Sequence, residues 1–289
     1  MRKNIFEILE SKYDIEGEFD KIVRLFFNNL FTYSYIYTLE SVKLTIENMV
    51  ENIHKNDNQS PFSKWKQRSV CLNCEEMRHK LHIRTDNYSN DKIITLEYFC
   101  NLINILQRQI NRGLDSSYSI SSEYYMLCRD IDILLEHLNY EKHVFEEEEK
   151  VIIIPKNPAA TAVAEISSES TAMAILMYHH ASLKGQLEEK RDILRRIAKE
   201  YEPLLDKGID GFSDYFDKAT NMLNNLDIRH NNKAGKKKNA LAINLSDEEL
   251  ENWYDELYQL LLFCVLIKDN KERKDKVAEF LKVLKDKKS

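Results

Sequence analysis

The chain has 289 residues, 43% hydrophobic and 31% charged, enough apolar material for one large core or two modest ones under a charged surface. Six glycines and four prolines leave few tight turns, which excludes a turn-rich β fold and predicts long helices joined by polar loops. A net charge of −6 excludes non-specific coating of nucleic acid, so any RNA or DNA contact falls to local basic patches.

Residues 1 to 7, Met-Arg-Lys-Asn-Ile-Phe-Glu, carry charge too early for a secretory signal, and five scattered cysteines fit a reducing cytoplasm. Residues 3 to 12 read as a short helix, broken near Gly17. From Glu18 to about Lys55 a long helical pattern carries Phe19, Phe26, Phe27, Phe31, Tyr33, Tyr35 and Tyr37 on nearly every face, which predicts a core helix. Its uncharged run, Leu25 to Leu39, holds Asn28, Asn29, Thr32 and Ser34 and is too short and polar to span a bilayer, so no membrane partner is expected.

After a polar loop, Lys64-Trp-Lys-Gln-Arg68 leads into a segment with Cys71, Cys74, His79 and His82. Helices follow at roughly 91 to 112 and 120 to 139. The first is expected to bury Ile94, Leu96, Phe99, Leu102, Ile103 and Leu106; the second Tyr125, Leu127, Cys128, Ile131, Leu134, Leu135 and Leu138. The composition then shifts. Glu146 to Glu149 precede Val151-Ile-Ile-Ile154, a β-branched run bounded by Pro155 and Pro158 and the best strand in the chain. Leu241-Ala-Ile243-Asn-Leu245 alternates as a second strand, and the two are expected to pair as a small hairpin.

Helices resume at Ser168. One passes Ile175, Leu176 and His179, extending past Gly185; the next buries Leu187, Leu194, Ile197, Ala198, Tyr201 and Leu204. Beyond Gly208 and Gly211, a helix with Phe212, Tyr215, Phe216, Ala219, Met222, Leu223 and Leu226 on one face carries that register on to Arg229 and His230. Ser246 with Glu249 three residues later is a capping box opening a helix with Leu250, Trp253, Tyr254, Leu257, Leu260, Leu261, Cys264 and Val265 as its stripe. A basic amphipathic stretch with Val277, Phe280, Leu281 and Leu284 follows. The expectation is therefore an all-α protein with at most one short β-hairpin: an N-terminal helical domain over 1–145 that regulates or dimerises, an acidic, strand-like linker over 146–167, and a helical bundle over 168–289.

Arg229-His230-Asn231-Asn232 is the constellation with most chemistry. Phosphodiester cleavage needs a group that takes the 2′-hydroxyl proton, which histidine does near neutrality, and a cation on the charge building at phosphorus, which suits a guanidinium. Asn231 or Asn232 would orient the imidazole or donate to the phosphate. Lys233, Lys236, Lys237 and Lys238 would steer an RNA backbone to the site. The plainer alternative is a helix end, with Arg229 and His230 satisfying the last carbonyls and the lysines solvated.

The helix order and the Arg-His motif of residues 168–268 resemble a HEPN domain, the helical fold of many prokaryotic toxin and anti-phage ribonucleases. That resemblance implies a metal-independent endoribonuclease of a bacterial defence or abortive-infection system, needing no cofactor, with RNA as substrate. It also implies a homodimer, or a defence-system partner protein, because two such motifs usually meet in one composite site. The family motif separates Arg and His by a polar residue and a short spacer; here His230 follows Arg229 directly, and no histidine occurs after it. His179, on the face of Ala172, Ile175 and Leu176, is the candidate replacement if its helix packs antiparallel near Arg229. The competing class is a non-catalytic all-α interaction module of a defence complex.

Cys71, Cys74, His79 and His82 have the composition of a zinc site, but a helix would set the first and last about 16 Å apart. The helix-favouring residues around them predict no metal. Arg78 to His82 is also a shortened Arg-x-His pattern. Unclustered glycines exclude a P-loop or dinucleotide fingerprint.

Overall fold

The structure, a computed structural model, describes residues 13–35, 40–55, 60–63, 71–83, 91–113, 117–146, 149–229 and 245–286. It is 67% helical with small antiparallel sheets of two or three strands. The chain divides into two compact units, 1–156 and 157–289. The stretch 146–167, expected as a linker, is split between them: its strand belongs to the first unit and its helix to the second.

The first unit opens with α1 (Ile15–Phe26), where the Asp14 carboxylate accepts the Gly17 N–H at 2.9 Å and the stripe Phe19, Ile22, Val23, Phe26 turns inward. The single long helix expected from Glu18 to Lys55 is not formed. After α1 come β1 (Phe31–Ser34) and β2 (Ser41–Leu44), and only then α2 (Ile46–Lys55). β1 lies between β2 and β3 (Tyr118–Ile120), antiparallel to both. A three-stranded sheet thus exceeds the one hairpin expected. Phe31, Thr32 and Tyr33 are β-branched or aromatic and pair with residues more than eighty positions away, which a local helical register cannot anticipate.

α3 is Cys74–Lys80; α4 (Lys92–Asn111) and α5 (Ser122–His137) are capped by Asp91 and Ser121, close to their expected bounds. α4 buries Leu96, Phe99, Leu102, Ile103 and Leu106 as its spacing predicts, and Phe99 stacks on Phe26 at 3.7 Å. On α5 the buried tyrosine is Tyr124, whereas Tyr125 is exposed. β4 (Tyr140–Phe145) and β5 (Lys150–Pro155) form a hairpin, with β5 packed on α4. Among the described residues the partner of β5 is β4; residues 241–244 of the expected second strand lie outside the described set.

The second unit contains α6 (Pro158–Ala164), α7 (Glu169–Met177), a 3-10 turn (Ala181–Leu183), α8 (Leu187–Glu200), α9 (Glu202–Lys207), α10 (Ser213–Asn225) and α11 (Asp247–Asp286). α7 ends at Met177 instead of passing Gly185: His180 Nδ1 accepts the Ser182 N–H at 3.2 Å, and Gly185 takes a φ of 75°. α11 starts with the expected capping box, Ser246 N–H to Glu249 Oε2 at 2.9 Å and Glu249 N–H to Ser246 Oγ at 3.3 Å. It packs on α6, α8 and α10 through Leu250, Tyr254, Leu257, Tyr258, Leu261 and Val265, while Trp253 of the expected stripe is half exposed. Among the described residues no helix is long and apolar enough to cross a membrane.

Candidate functional site

The turn that closes α10 carries the first of the expected catalytic residues. The helix stops at Asn225, four residues short of Arg229, so Arg229 is not on a continued helical stripe. Leu226 and Ile228 take the buried positions instead, at 4% and 0% exposure. Between them Asp227 adopts a left-handed φ of 62°, a conformation costly for a residue with a Cβ.

Neighbouring elements hold this turn at several points. The Ile228 and Arg229 N–H groups both donate to the Leu223 carbonyl at 3.2 Å. Tyr254 Oη of α11 donates to the Leu226 carbonyl at 3.4 Å, and Arg195 Nε of α8 donates to the Ile228 carbonyl at 2.9 Å. The buried Asp227 carboxylate faces the Arg191 guanidinium at 3.5 Å. Burial pushes the Tyr254 phenol up to about 12, which keeps it a neutral donor.

Arg229 leaves this turn with a side chain only 16% exposed. Its Nη2 lies 3.7 Å from Glu202 Oε1 and 3.5 Å from Asp206 Oδ1, both on α9 and both half exposed. Neither separation is a good hydrogen bond, and among the described residues Nη2 is buried with no hydrogen-bond acceptor. Three guanidiniums, those of Arg191, Arg195 and Arg229, thus surround one turn. His230, Asn231, Asn232, Lys233, Lys236, Lys237 and Lys238 lie outside the described residues.

His179 does not join Arg229. Its ring stands edge-on to Tyr258 and Tyr178, both at 5.0 Å, beside Asp255 and Lys190. Burial, reinforced by the Lys190 ammonium and opposed by Asp255, lowers its pKa and favours the neutral imidazole. Lys190 is 4% exposed; its Nζ meets Glu251 and Asp255 at 2.8 Å each and sits 5.0 Å above the Tyr178 ring. Tyr178 stacks on Tyr258 at 4.1 Å, and the Tyr258 hydroxyl donates to the Ile175 carbonyl at 2.8 Å.

Sequence reading missed this cluster, although a signal was present. Lys190 falls three residues after Leu187 and four before Leu194, so it occupies an apolar stripe position. Two carboxylates on one ammonium satisfy the charge internally, which suits a fixed polar core contact.

The four zinc-like residues diverge. Cys71 and Cys74 are buried, while His79 at 80% side-chain exposure and His82 at a φ of 57° face solvent. The helix begins at Cys74 because Asn73 accepts the Glu76 N–H at 2.8 Å, and that places the thiols and imidazoles on different sides. Among the described residues no group of three or more His, Cys, Asp or Glu is placed to hold a metal. Arg78 of the shortened motif is bound by Glu47 at 2.8 Å. Lys64 to Arg68 lie outside the described residues.

Neither protein-family models nor curated proteins nor solved structures yield a match to this chain.

Proposed function

We propose that the second unit is a metal-independent endoribonuclease module of a bacterial defence or toxin system, with Arg229 and His230 at its centre. The observation that carries this reading is the buried Arg229 Nη2, held off both carboxylates and lacking an acceptor among the described residues. A phosphate oxygen supplies such an acceptor, and a guanidinium binds it with a charge-assisted pair of donors. The anchored turn adds support: strained backbone that several neighbours hold in place is a feature of preorganised sites.

In this mechanism His230 takes the proton of the 2′-hydroxyl, whose oxygen attacks the adjacent phosphorus. The 5′-oxygen departs and receives a proton, leaving a 2′,3′-cyclic phosphate and a 5′-hydroxyl. Arg229 stabilises the charge on the phosphoryl oxygens, Asn231 or Asn232 orients the imidazole, and Lys233, Lys236, Lys237 and Lys238 hold the RNA backbone.

A second reading draws on the same contact. The nearness of Arg229 to Glu202 and Asp206 also fits a non-catalytic interaction module in which the arginine ties α9 to the turn. Cleavage of RNA in EDTA by wild type, Arg229→Ala and His230→Ala, with thermal melts of each, separates the two. The nuclease reading expects cleavage that falls about a hundredfold or more in both variants while the melting temperature barely moves. Wild type that leaves RNA intact, together with a lowered melting temperature for Arg229→Ala, overturns it in favour of the structural role.

A further inference from the structure

Trp253 belongs to the expected stripe of α11 yet stands 49% exposed. Its indole forms one wall of a groove between α11 and the C-terminal half of α10, with a volume of about 460 Å³. Met222 and Leu226 of α10 and Leu245 supply the other apolar walls, and Asn221 and Asn225 supply two amides. Positions 221, 222, 225 and 226 recur at i, i+1, i+4 and i+5, so they form one strip along α10. Tyr254, next to Trp253, turns inward instead and donates to the Leu226 carbonyl, which ties the two walls together.

Size, shape and charge narrow the occupant. The volume lies within the range of about 300–1,000 Å³ typical of small-molecule sites. Among the described residues that line the groove none is charged, so a lipid headgroup or a charged peptide meets no counter-charge there. A flat, uncharged aromatic ring fits better. It can lie on the exposed indole and against the Met222 thioether, both good partners for a π system. The Asn225 Nδ2 donates to the Asn221 carbonyl at 2.8 Å, which steadies that amide and leaves its side-chain oxygen to accept from an amino group. A nucleobase is such a ring, with amino and carbonyl groups along its edge.

The place of the groove in the fold points the same way. Leu226 is both one of its walls and the first residue of the turn that ends at Arg229. Three Cα steps of about 3.8 Å keep the two residues within about 11 Å of each other, a span that one nucleotide and an arginine side chain bridge. We propose that this groove is a nucleobase subsite, in which the base beside the scissile phosphate stacks on Trp253 while its phosphate lies at Arg229. The subsite rests on the RNA-cleavage reading above. It adds what that reading lacks: backbone contacts position a strand, whereas a contact to the base gives preference among sequences.

Trp253 can report on its own occupant. The chain has two tryptophans, Trp65 and Trp253, so in W65F the full-length protein emits from Trp253 alone. The probes are 2′-O-methyl homo-oligonucleotides of each of the four bases, which lack the attacking hydroxyl and stay intact whether or not the protein is a nuclease. The expected result is quenched emission with at least one of them and none with an abasic oligomer of the same length. W253L keeps an apolar wall without a π face and should bind the labelled oligonucleotide about tenfold or more weakly by anisotropy, with W253F restoring most of the affinity. Thermal melts of each variant show that the fold is kept. Emission that none of the four changes, or W253L that binds as wild type, overturns the inference even where wild type cleaves RNA in EDTA. Quenching by a protein that cleaves no RNA has the opposite meaning: the base subsite stands and the nuclease reading falls. A dimer that W253L dissociates, seen by light scattering with no quenching, assigns the groove to a second copy instead.

Discussion

Asn101 of α4 holds Val151 of β5 as a neighbouring strand would. Its amide donates to the Val151 carbonyl at 2.7 Å, and its side-chain carbonyl accepts the Val151 N–H at 2.8 Å. One turn earlier, Glu97 accepts the Ile153 N–H at 2.9 Å. β4 occupies one edge of β5, and two helix side chains occupy the other, so the hairpin has no open backbone edge on that side. Asn101 and Glu97 are each 1% exposed, which explains why polar residues persist on an otherwise apolar helix face.

Asn101→Leu keeps the branched shape of the side chain but leaves the Val151 N–H and C=O buried without partners, at about 1–3 kcal/mol each. The expected outcome is a loss of about 2–4 kcal/mol in local stability, read as faster amide hydrogen exchange across residues 150–155. Exchange rates there that match wild type would show the pairing to be dispensable.

Stability should fall in two steps on acidification. His179 has a lowered folded pKa, through burial first and the Lys190 ammonium second, so below its unfolded value near 6.5 the unfolded chain binds the extra proton. Its contribution is present above that pH and lost below it. Glu251 follows at lower pH. Burial raises its pKa, but the Lys190 ammonium and the Gly185 N–H outweigh that and hold it below the ordinary carboxylate value, so its contribution is lost beneath about pH 4.3. A pH series of denaturant melts should show the first step vanish in His179→Phe. In Lys190→Met, Glu251 loses the cation that holds its folded pKa down, so the second step should shrink or disappear.

The five cysteines are free, and four of them are buried. Burial pushes the Cys100 thiol up to about 12 and the Cys264 thiol up to about 11, and the Cys74 thiol higher still. Thiolate is the reactive form, so a disulfide reagent at neutral pH should label the native protein slowly and the denatured protein at all five positions. Cys128, the one of intermediate burial, should react first. Rapid native labelling of Cys71 or Cys74 would mean that this segment opens readily.

Helices with long periodic stripes were legible in the sequence, as was the Ser246–Glu249 capping box that opens one of them. α4, α5 and α11 begin where Asp91, Ser121 and Ser246 cap them, and most of their stripes are buried. β1 and β2 were not legible: four residues are too few to show alternation, and their aromatic content mimics a core helix. Tyr125 and Trp253 were misplaced by one position because apolar content marks a face only to within about 100°. At the candidate site, the register ran through to Arg229 since nothing in Leu226-Asp227-Ile228 announces a helix stop. Asp227 supplies the left-handed residue that glycine usually provides, and its stabiliser, Arg191, is distant in sequence.

That makes Asp227 the position where the turn can be tested apart from its chemistry. Asp227→Gly removes the Cβ strain but also the carboxylate facing Arg191; Asp227→Asn keeps a side chain that tolerates the left-handed region while removing the charge; Asp227→Val loses both the charge and the conformational fit. Strain of about 1–2 kcal/mol for a β-branched residue, added to the loss of the carboxylate facing Arg191, ranks Val as the most destabilising. Asn and Gly should be milder, on the order of 1–2 kcal/mol. If the anchored turn also aims Arg229 and His230, Asp227→Asn should lose RNA cleavage well beyond what its melting temperature explains, and Arg229→Ala in that background should add little further loss. Cleavage that tracks stability alone across the series would confine Asp227 to holding the fold.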